Sequence, residues 1–195
     1  MEGTITVYHT GFAIVQTPDL QFGRSNTDFG QGFYLSDDLA FAGRWAKERR
    51  DVAVYLNTYR LALDGLRIKR FRRDAAWYDY IYANRAGRPD ALTAYDAVIG
   101  PIACDTIYDT LGILTSGLID KEVALKAYRL VPSYRQIVLK SAKAVSALQW
   151  VDARIISPEE IRQNRTILLQ EEQAYQEKLL RLLGSIEELQ GGYSG

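Results

Sequence analysis

Asp28-Phe29-Gly30-Gln31-Gly32-Phe33-Tyr34-Leu35-Ser36 is the stretch whose reading decides the fold. Two glycines one residue apart permit a tight backbone turn, and the apolar and aromatic run behind them suits a short buried strand. Upstream, Thr4-Ile5-Thr6-Val7-Tyr8 alternates as a half-buried strand does, and His9, the only histidine, ends it. With one His and one Cys (Cys104) among 195 residues, no site needing two imidazoles or two thiolates can be built within one chain. If His9 is functional, it acts alone.

Composition narrows the class. With 195 residues and 47% apolar content the chain can bury a sizeable core, so one domain with an appendage is expected. Lys+Arg and Asp+Glu both number 24, which removes the global basic field that draws proteins to nucleic acid or anionic membranes. The local run Arg67, Lys69, Arg70, Arg72 and Arg73 reads first as a solvated hairpin face. A single Cys excludes an intrachain disulfide and fits a reducing cytosol. The start, Met-Glu-Gly-Thr, has no basic n-region or apolar h-region, and no stretch approaches a membrane span. A cytoplasmic protein with no membrane partner is expected, or one delivered into a target cell without a signal peptide of the usual kind.

Working outward, Ser36, Asp37 and Asp38 followed by Leu39, Ala42, Trp45 and Ala46 predict a helix to about residue 50. Residues 52–56 and 59–63 read as strand material. Asp64-Gly65 then marks a tight turn into Leu66-Arg67-Ile68-Lys69-Arg70-Phe71, a hairpin. Trp77, Tyr78, Ile81 and Tyr82 fall at helical spacing over 74–86, and Gly87 and Pro89 stop that helix; core packing is the favoured role of these rings over base stacking. Tyr95 to Pro101 is a buried strand, helices occupy about 105–130, and Tyr134 to Leu139 is another strand. Ser141 opens a short helix before a strand over 150–156. The pattern is α+β with segregated helices and mainly antiparallel sheets, residues 1–156 forming the domain.

Residues 157–195 differ in kind. Ser157-Pro158-Glu159-Glu160 fits an N-cap Ser, a Pro at the first helical position and a capping-box Glu. Ile161, Leu168, Tyr175, Leu182 and Leu189 recur every seventh residue, but the companion position is apolar only at Leu179 and Ile186, after Arg165 and Glu172. That is weak for an autonomous coiled coil and suits a helix docking one face on the domain, on a second copy or on a cognate partner such as an antitoxin.

Several chemistries are disfavoured. Asp28-Phe29-Gly30 matches a kinase metal-binding tripeptide, yet no His-Arg-Asp loop or phosphate-covering glycine loop accompanies it. Gly30-x-Gly32 lacks the strand, glycine turn and helix of a Rossmann site. A Ser-His-Asp hydrolase would have to use His9, but no G-x-S-x-G elbow is present and Ser116-Gly117 has no such frame. A lone His at a strand end is most often a hydrogen-bonding residue of the core; the second motif is what raises it to a candidate ligand.

His9-Thr10-Gly11, then Phe29-Gly30-Gln31-Gly32-Phe33-Tyr34, then a helix carrying Ala42 and Trp45, resembles the catalytic core of ADP-ribosyltransferases of the diphtheria-toxin and poly(ADP-ribose) polymerase branch. Residues 4 to about 150 also resemble the bacterial family catalogued as domain of unknown function 3990, through YHTGF, DFGQGFYLS, YDAVIGPIACD and RQIVLKSAKAVSALQW. The resemblance implies a split antiparallel sheet core with peripheral helices and, here, a long C-terminal helix. It implies NAD as substrate, no metal, and transfer of single ADP-ribose units to a protein or nucleic-acid acceptor by a toxin, effector or conflict-system enzyme.

By that resemblance His9 bonds the adenosine ribose hydroxyl, the Thr10 backbone clamps the nicotinamide amide beside Gly11, Tyr34 stacks under the ring and Trp45 closes its other face. Phe29, Gly30 and Gly32 line the turn beside the cofactor, and Arg24 pairs with the pyrophosphate. The third catalytic position, commonly Glu at the start of a late strand, is Gln136 here, which brings no charge to an oxocarbenium centre. Asp105 is the nearest substitute carboxylate and equally a helix N-cap. Two alternatives stand beside this reading: a catalytically weak NAD- or ADP-ribose-binding module, and an interaction protein acting through its C-terminal helix.

Overall fold

The computed structural model describes residues 3–103, 120–132 and 134–191, with side chains as far as 185. Two sheets form the core. The first holds β1 (Thr4–Gly11), β3 (Tyr55–Ala62) and β7 (Leu148–Ile155) in the order β1-β3-β7, and the second holds β2 (Phe33–Leu35), β6 (Arg135–Leu139), β5 (Ala97–Pro101) and β4 (Ile68–Arg70) in the order β2-β6-β5-β4. All pairs are antiparallel except β4 with β5. The sheets meet where Tyr8 and Ser36 exchange backbone hydrogen bonds of 2.8 and 3.0 Å, a single bridge joining the edges of β1 and β2. Mixed α+β architecture with a long terminal helix is therefore observed.

The core between the sheets packs Val7, Tyr59 and Leu61 against Phe33, Leu35, Ile99, Ile137 and Leu139. The other face of the second sheet carries Val98 and Val138 and is covered by α2 (Ala75–Arg85), α3 (Lys121–Arg129) and α5 (Pro158–Gly191) through Trp77, Ile81, Ala124, Tyr128, Tyr175 and Leu179. The aromatic cluster of α2 is core, as its spacing suggests: Trp77 is fully buried and its Nε1 donates to the Pro101 carbonyl at 2.9 Å. Asp38 and Asp74 cap α1 (Leu39–Arg44) and α2, and Ser141 caps α4 (Ala142–Ser146).

Four expectations need correction. First, β1 continues through His9 and Thr10 to Gly11, because β3 offers ladder partners as far as Tyr55. Second, α1 stops at Arg44, where Gly43 packs against α5. Third, residues 52–56 and 59–63 belong largely to one strand, β3. Fourth, Asp64-Gly65 does not make a hairpin. Gly65 adopts φ +78°, but the chain leaves the first sheet there and β4 joins the second, parallel to β5 across α2. A turn dipeptide fixes local geometry, whereas sheet membership is fixed by whichever ladder buries the strand. Cys104, Asp105 and Ser116-Gly117 lie outside the described residues, as does much of the helical stretch expected over 105–130.

The terminal helix starts as its signature requires, the Ser157 hydroxyl accepting the Glu160 N–H at 3.1 Å. The Glu160 carboxylate does not complete a capping box but takes Arg154 in a two-pronged pair at 2.7 and 2.8 Å. Ile161, Tyr175 and Leu179 are buried on the rest of the protein, with Leu168 and Leu182 half-buried beside them, so the stripe from Ile161 to Leu182 docks on the protein's own domain. Glu171 adds a polar anchor, accepting from Tyr134 Oη and Arg44 Nη1, each at 2.6 Å.

One carboxylate ties the glycine-rich segment to the scaffold. Asp28, its side chain 8% exposed, accepts Arg85 Nε at 2.7 Å and Arg85 Nη2 on Oδ1, and the Ala103 N–H at 2.8 Å and Gln136 Nε2 at 3.2 Å on Oδ2. Loop, α2, the segment just after β5 and the start of β6 thus share one buried carboxylate.

Two outcomes test this packing. Leu179→Ala should cost about 2–5 kcal/mol in urea denaturation, while Leu180→Ala, at a site 69% exposed, should stay within about 0.5 kcal/mol. Gln136→Glu would set a second carboxyl against Asp28, raising its folded pKa above the unfolded value of about 4.3. Folding then retains a proton that unfolding releases, so the variant should lose stability relative to wild type as pH rises from about 4.3 through that raised pKa. Equal deficits at pH 5 and pH 8 would contradict the arrangement.

Candidate functional site

His9 lies at the junction of the sheets. Its partner across the ladder is Asn57, and its ring packs on Phe33 with centroids 4.5 Å apart. Nδ1 sits 2.8 Å from the Tyr34 carbonyl oxygen. A carbonyl can only accept, so Nδ1 carries the proton and the neutral ring presents Nε2 as an acceptor. Burial lowers the pKa of His9 below its ordinary 6.5, opposed by the bond to the Tyr34 carbonyl, so the ring is neutral at physiological pH. Nε2 faces Gly11: a Cβ built there would lie 3.1 Å from it. The glycine keeps that side of the imidazole approachable.

The strand end is held rigidly around this ring. Thr10 Oγ1 donates to the Ala42 carbonyl at 2.6 Å, tying β1 to α1. Trp45, half-exposed at the end of α1, packs edge-on against Phe41 at 5.2 Å. The segment after Gly11 is anchored from β3: fully buried Asn57 accepts the Val15 N–H at 2.9 Å and donates to the Ala13 carbonyl at 3.0 Å, and Tyr59 Oη donates to the Val15 carbonyl at 2.5 Å. Asn57 was not among the candidates. Its one signal in the sequence is an amide among the apolar, aromatic and β-branched residues at the start of β3.

Tyr34 is placed differently from expectation. Its backbone orients His9, but its hydroxyl turns back into the glycine loop, where it meets Thr27 Oγ1 at 2.5 Å, accepts the Phe29 N–H at 3.0 Å and reaches the Gly30 carbonyl at 2.8 Å. Burial dominates in pushing this phenol far above its ordinary pKa, so it stays protonated. Alternation along β2 and β6 sends Phe33, Leu35, Ile137 and Leu139 toward the first sheet and Tyr34, Gln136 and Val138 to the opposite face. His9 and Gln136 therefore project to different sides of the second sheet. Gln136 is 3% exposed, its amide taken by Asp28.

The loop residues divide likewise. Phe29 is fully buried between Phe71 and Tyr80, so it offers no surface to a cofactor and its assignment there is corrected. Gly32 has no room for a Cβ because the Leu139 carbonyl would stand 2.5 Å away. Gly30, at φ +72°, lies against Asn84, Asp90 and Lys140, where a Cβ would come within 3.2 to 3.4 Å of their polar atoms. Both glycines are required by packing on β6 and α2. Beneath Gly30, buried Lys140 pairs with Asp90, which also accepts from Tyr80 Oη at 2.8 Å. Burial opposes ionisation of Asp90, but Lys140, the Leu92 N–H and Tyr80 outweigh it and hold its carboxyl below the usual range. Arg24 is exposed and makes no ion pair among the described residues.

No group of three or more metal-ligating side chains occurs among the described residues, and no described helix is long and apolar enough to cross a membrane. Neither a curated protein nor a solved structure matches the chain. The family model described as "Protein of unknown function (DUF3990)" matches residues 5–150, the span that contains both sheets except the first residue of β1 and the end of β7. By that match the chain belongs to the DUF3990 family.

Proposed function

We propose that the chain binds NAD at the sheet junction and transfers a single ADP-ribose unit from it to a macromolecular acceptor. The observation that carries this reading is the fixed tautomer of His9, whose Nε2 stands beside Gly11 as an acceptor for a ligand hydroxyl. A ribose diol supplies such a hydroxyl. Thr10 and Gly11 give backbone groups at the same edge, Trp45 gives an aromatic face near the end of α1, and Arg24 gives an exposed guanidinium for phosphate. In the reaction the C1′–N bond of NAD breaks with its electron pair going to nicotinamide. The oxocarbenium carbon then takes an electron pair from an acceptor oxygen or nitrogen, whose proton passes to solvent.

Charge supports slow, single-unit chemistry. Asp28 is paired with Arg85 and lies with Gln136 on the face of the second sheet away from His9, so neither brings a free negative charge to a cation developing beside His9. The same observation favours a second reading, an NAD-binding module of weak catalytic power. Adenine-labelled NAD incubated with the protein and a bacterial or host lysate separates the two: transfer predicts nicotinamide release and protease- or nuclease-sensitive label, whereas a binding module predicts bound NAD without release. Absence of both NAD binding and nicotinamide release would overturn the proposal.

The His9 bond also sets a pH signature. Only the neutral ring accepts a hydroxyl at Nε2, so NAD affinity measured by calorimetry should be flat near neutrality and fall as pH drops below the ordinary 6.5 through the lowered pKa. His9→Ala should weaken NAD binding about tenfold, the value of one hydrogen bond in a half-buried site, and abolish the acid limb. An affinity that rises on acidification would contradict it.

A further inference from the structure

We propose that the C-terminal helix belongs to the His9 site: α5 clamps α1 in the position from which α1 holds the end of β1, and Glu171 is the positioning residue through which it does so. This role rests on the reading of the sheet junction as an NAD site, and it names what keeps that site in shape. The clamp comes from outside the matched span, since α5 begins at Pro158 and the family match ends at residue 150.

α1 cannot hold itself in place. It is six residues long, Leu39–Arg44, and isolated helices shorter than about 12–15 residues are marginal in water. Its position is therefore set by what it packs on. On one side lies the candidate site: the Ala42 carbonyl accepts the Thr10 hydroxyl at 2.6 Å and also the Trp45 N–H at 3.3 Å. Any movement of α1 carries Thr10 and Trp45 with it.

On the other side lies α5. A Cβ built on Gly43 would stand 3.3 Å from Asn164 Nδ2, so the two helices meet closely, and Ala42 and Ala46 share an apolar cluster with Ile161. Arg44, its side chain 14% exposed, donates through Nη1 to Glu171 Oε1 at 2.6 Å and to Tyr134 Oη. Tyr134 Oη donates to the same Glu171 oxygen at 2.6 Å, while its ring stacks on Phe41 with centroids 4.2 Å apart. Phe41 in turn lies edge-on to Trp45 at 5.2 Å. One carboxylate of α5 thus grips α1 twice, directly through Arg44 and through Tyr134 at Phe41. Removing it strands a guanidinium that is largely withdrawn from water, and the cost of an unpaired charge falls on α1. Leu179 gives the contrast. It docks α5 within the Trp77 and Tyr128 cluster on the far face of the second sheet, a cluster that includes no residue of α1.

The test combines NAD calorimetry on the folded full chain with amide hydrogen exchange at Ala42, Trp45 and Ala46, whose N–H groups donate within or beside α1. Glu171→Ala should weaken NAD binding about tenfold and speed exchange at these three amides more than at Val138 of β6. Glu171→Gln, whose amide oxygen still accepts from Arg44 and Tyr134, should restore most of both. Leu179→Ala, measured well below its melting temperature, should leave NAD affinity unchanged although it lowers stability. Equal loss of affinity in Leu179→Ala and Glu171→Ala would reduce the helix to general support and overturn the proposal. Unmoved exchange at α1 in Glu171→Ala would remove the clamp, and faster exchange with unchanged NAD affinity would remove its link to the site. A wild-type chain that binds no NAD would overturn the NAD reading, and the exchange rates would still decide whether Glu171 holds α1.

Discussion

The buried carboxylate of Asp28 is the constraint on which the arrangement depends. A charge removed from water is tolerated only when paired and hydrogen-bonded, and Asp28 meets that condition with donors from three distant places: Arg85, the Ala103 N–H and Gln136. Those partners belong to α2, the segment just after β5 and the start of β6. Removing any one leaves the others facing an incompletely satisfied ion, so the loop cannot leave the sheet without exposing or stranding a charge. The glycines next along the chain let the backbone follow: Gly32 presses on the Leu139 carbonyl of β6 and Gly30 on the Asp90 and Lys140 pair.

From that anchor the candidate site is reached in two steps. The loop fixes Tyr34, whose hydroxyl is held by Thr27, Phe29 and Gly30, and the fixed backbone of Tyr34 then sets the tautomer of His9. Tyr34 thus holds the loop through its hydroxyl and orients His9 through its carbonyl. On the other strand Asn57 holds the segment following Gly11. The imidazole is oriented from both sheets, and the junction itself rests on the bridge between Tyr8 and Ser36.

Local signals in the sequence carried far. Ser141 and Ser157 were readable as caps, the strand alternation around Val7 and the buried run of β5 were plain, and the stripe through Ile161 and Tyr175 announced a docked helix. What escaped was non-local. Asp28 and its partners are separated by 57 to 108 residues, and no spacing rule connects them. Asp64-Gly65 signals a turn equally well whether the next strand returns or crosses to another sheet. Phe29 and Gln136 fell within recognisable motifs, but a motif gives residue type and leaves open which face of a strand the side chain takes. For Gln136 that face decided its surroundings, since one residue of alternation put it with Asp28 on the side away from His9.

The central claim is that His9 is a neutral, Nδ1-protonated imidazole whose Nε2 receives a ligand hydroxyl. Because the chain has one histidine, 15N labelling of that residue gives a spectrum without overlap. Long-range proton–nitrogen correlation at neutral pH should show Nδ1 protonated and Nε2 bare, and NAD should shift the Nε2 resonance while Nδ1 keeps its bond to Tyr34. A proton on Nε2, an imidazolium at neutral pH, or an Nε2 resonance that saturating NAD leaves unmoved would contradict the account.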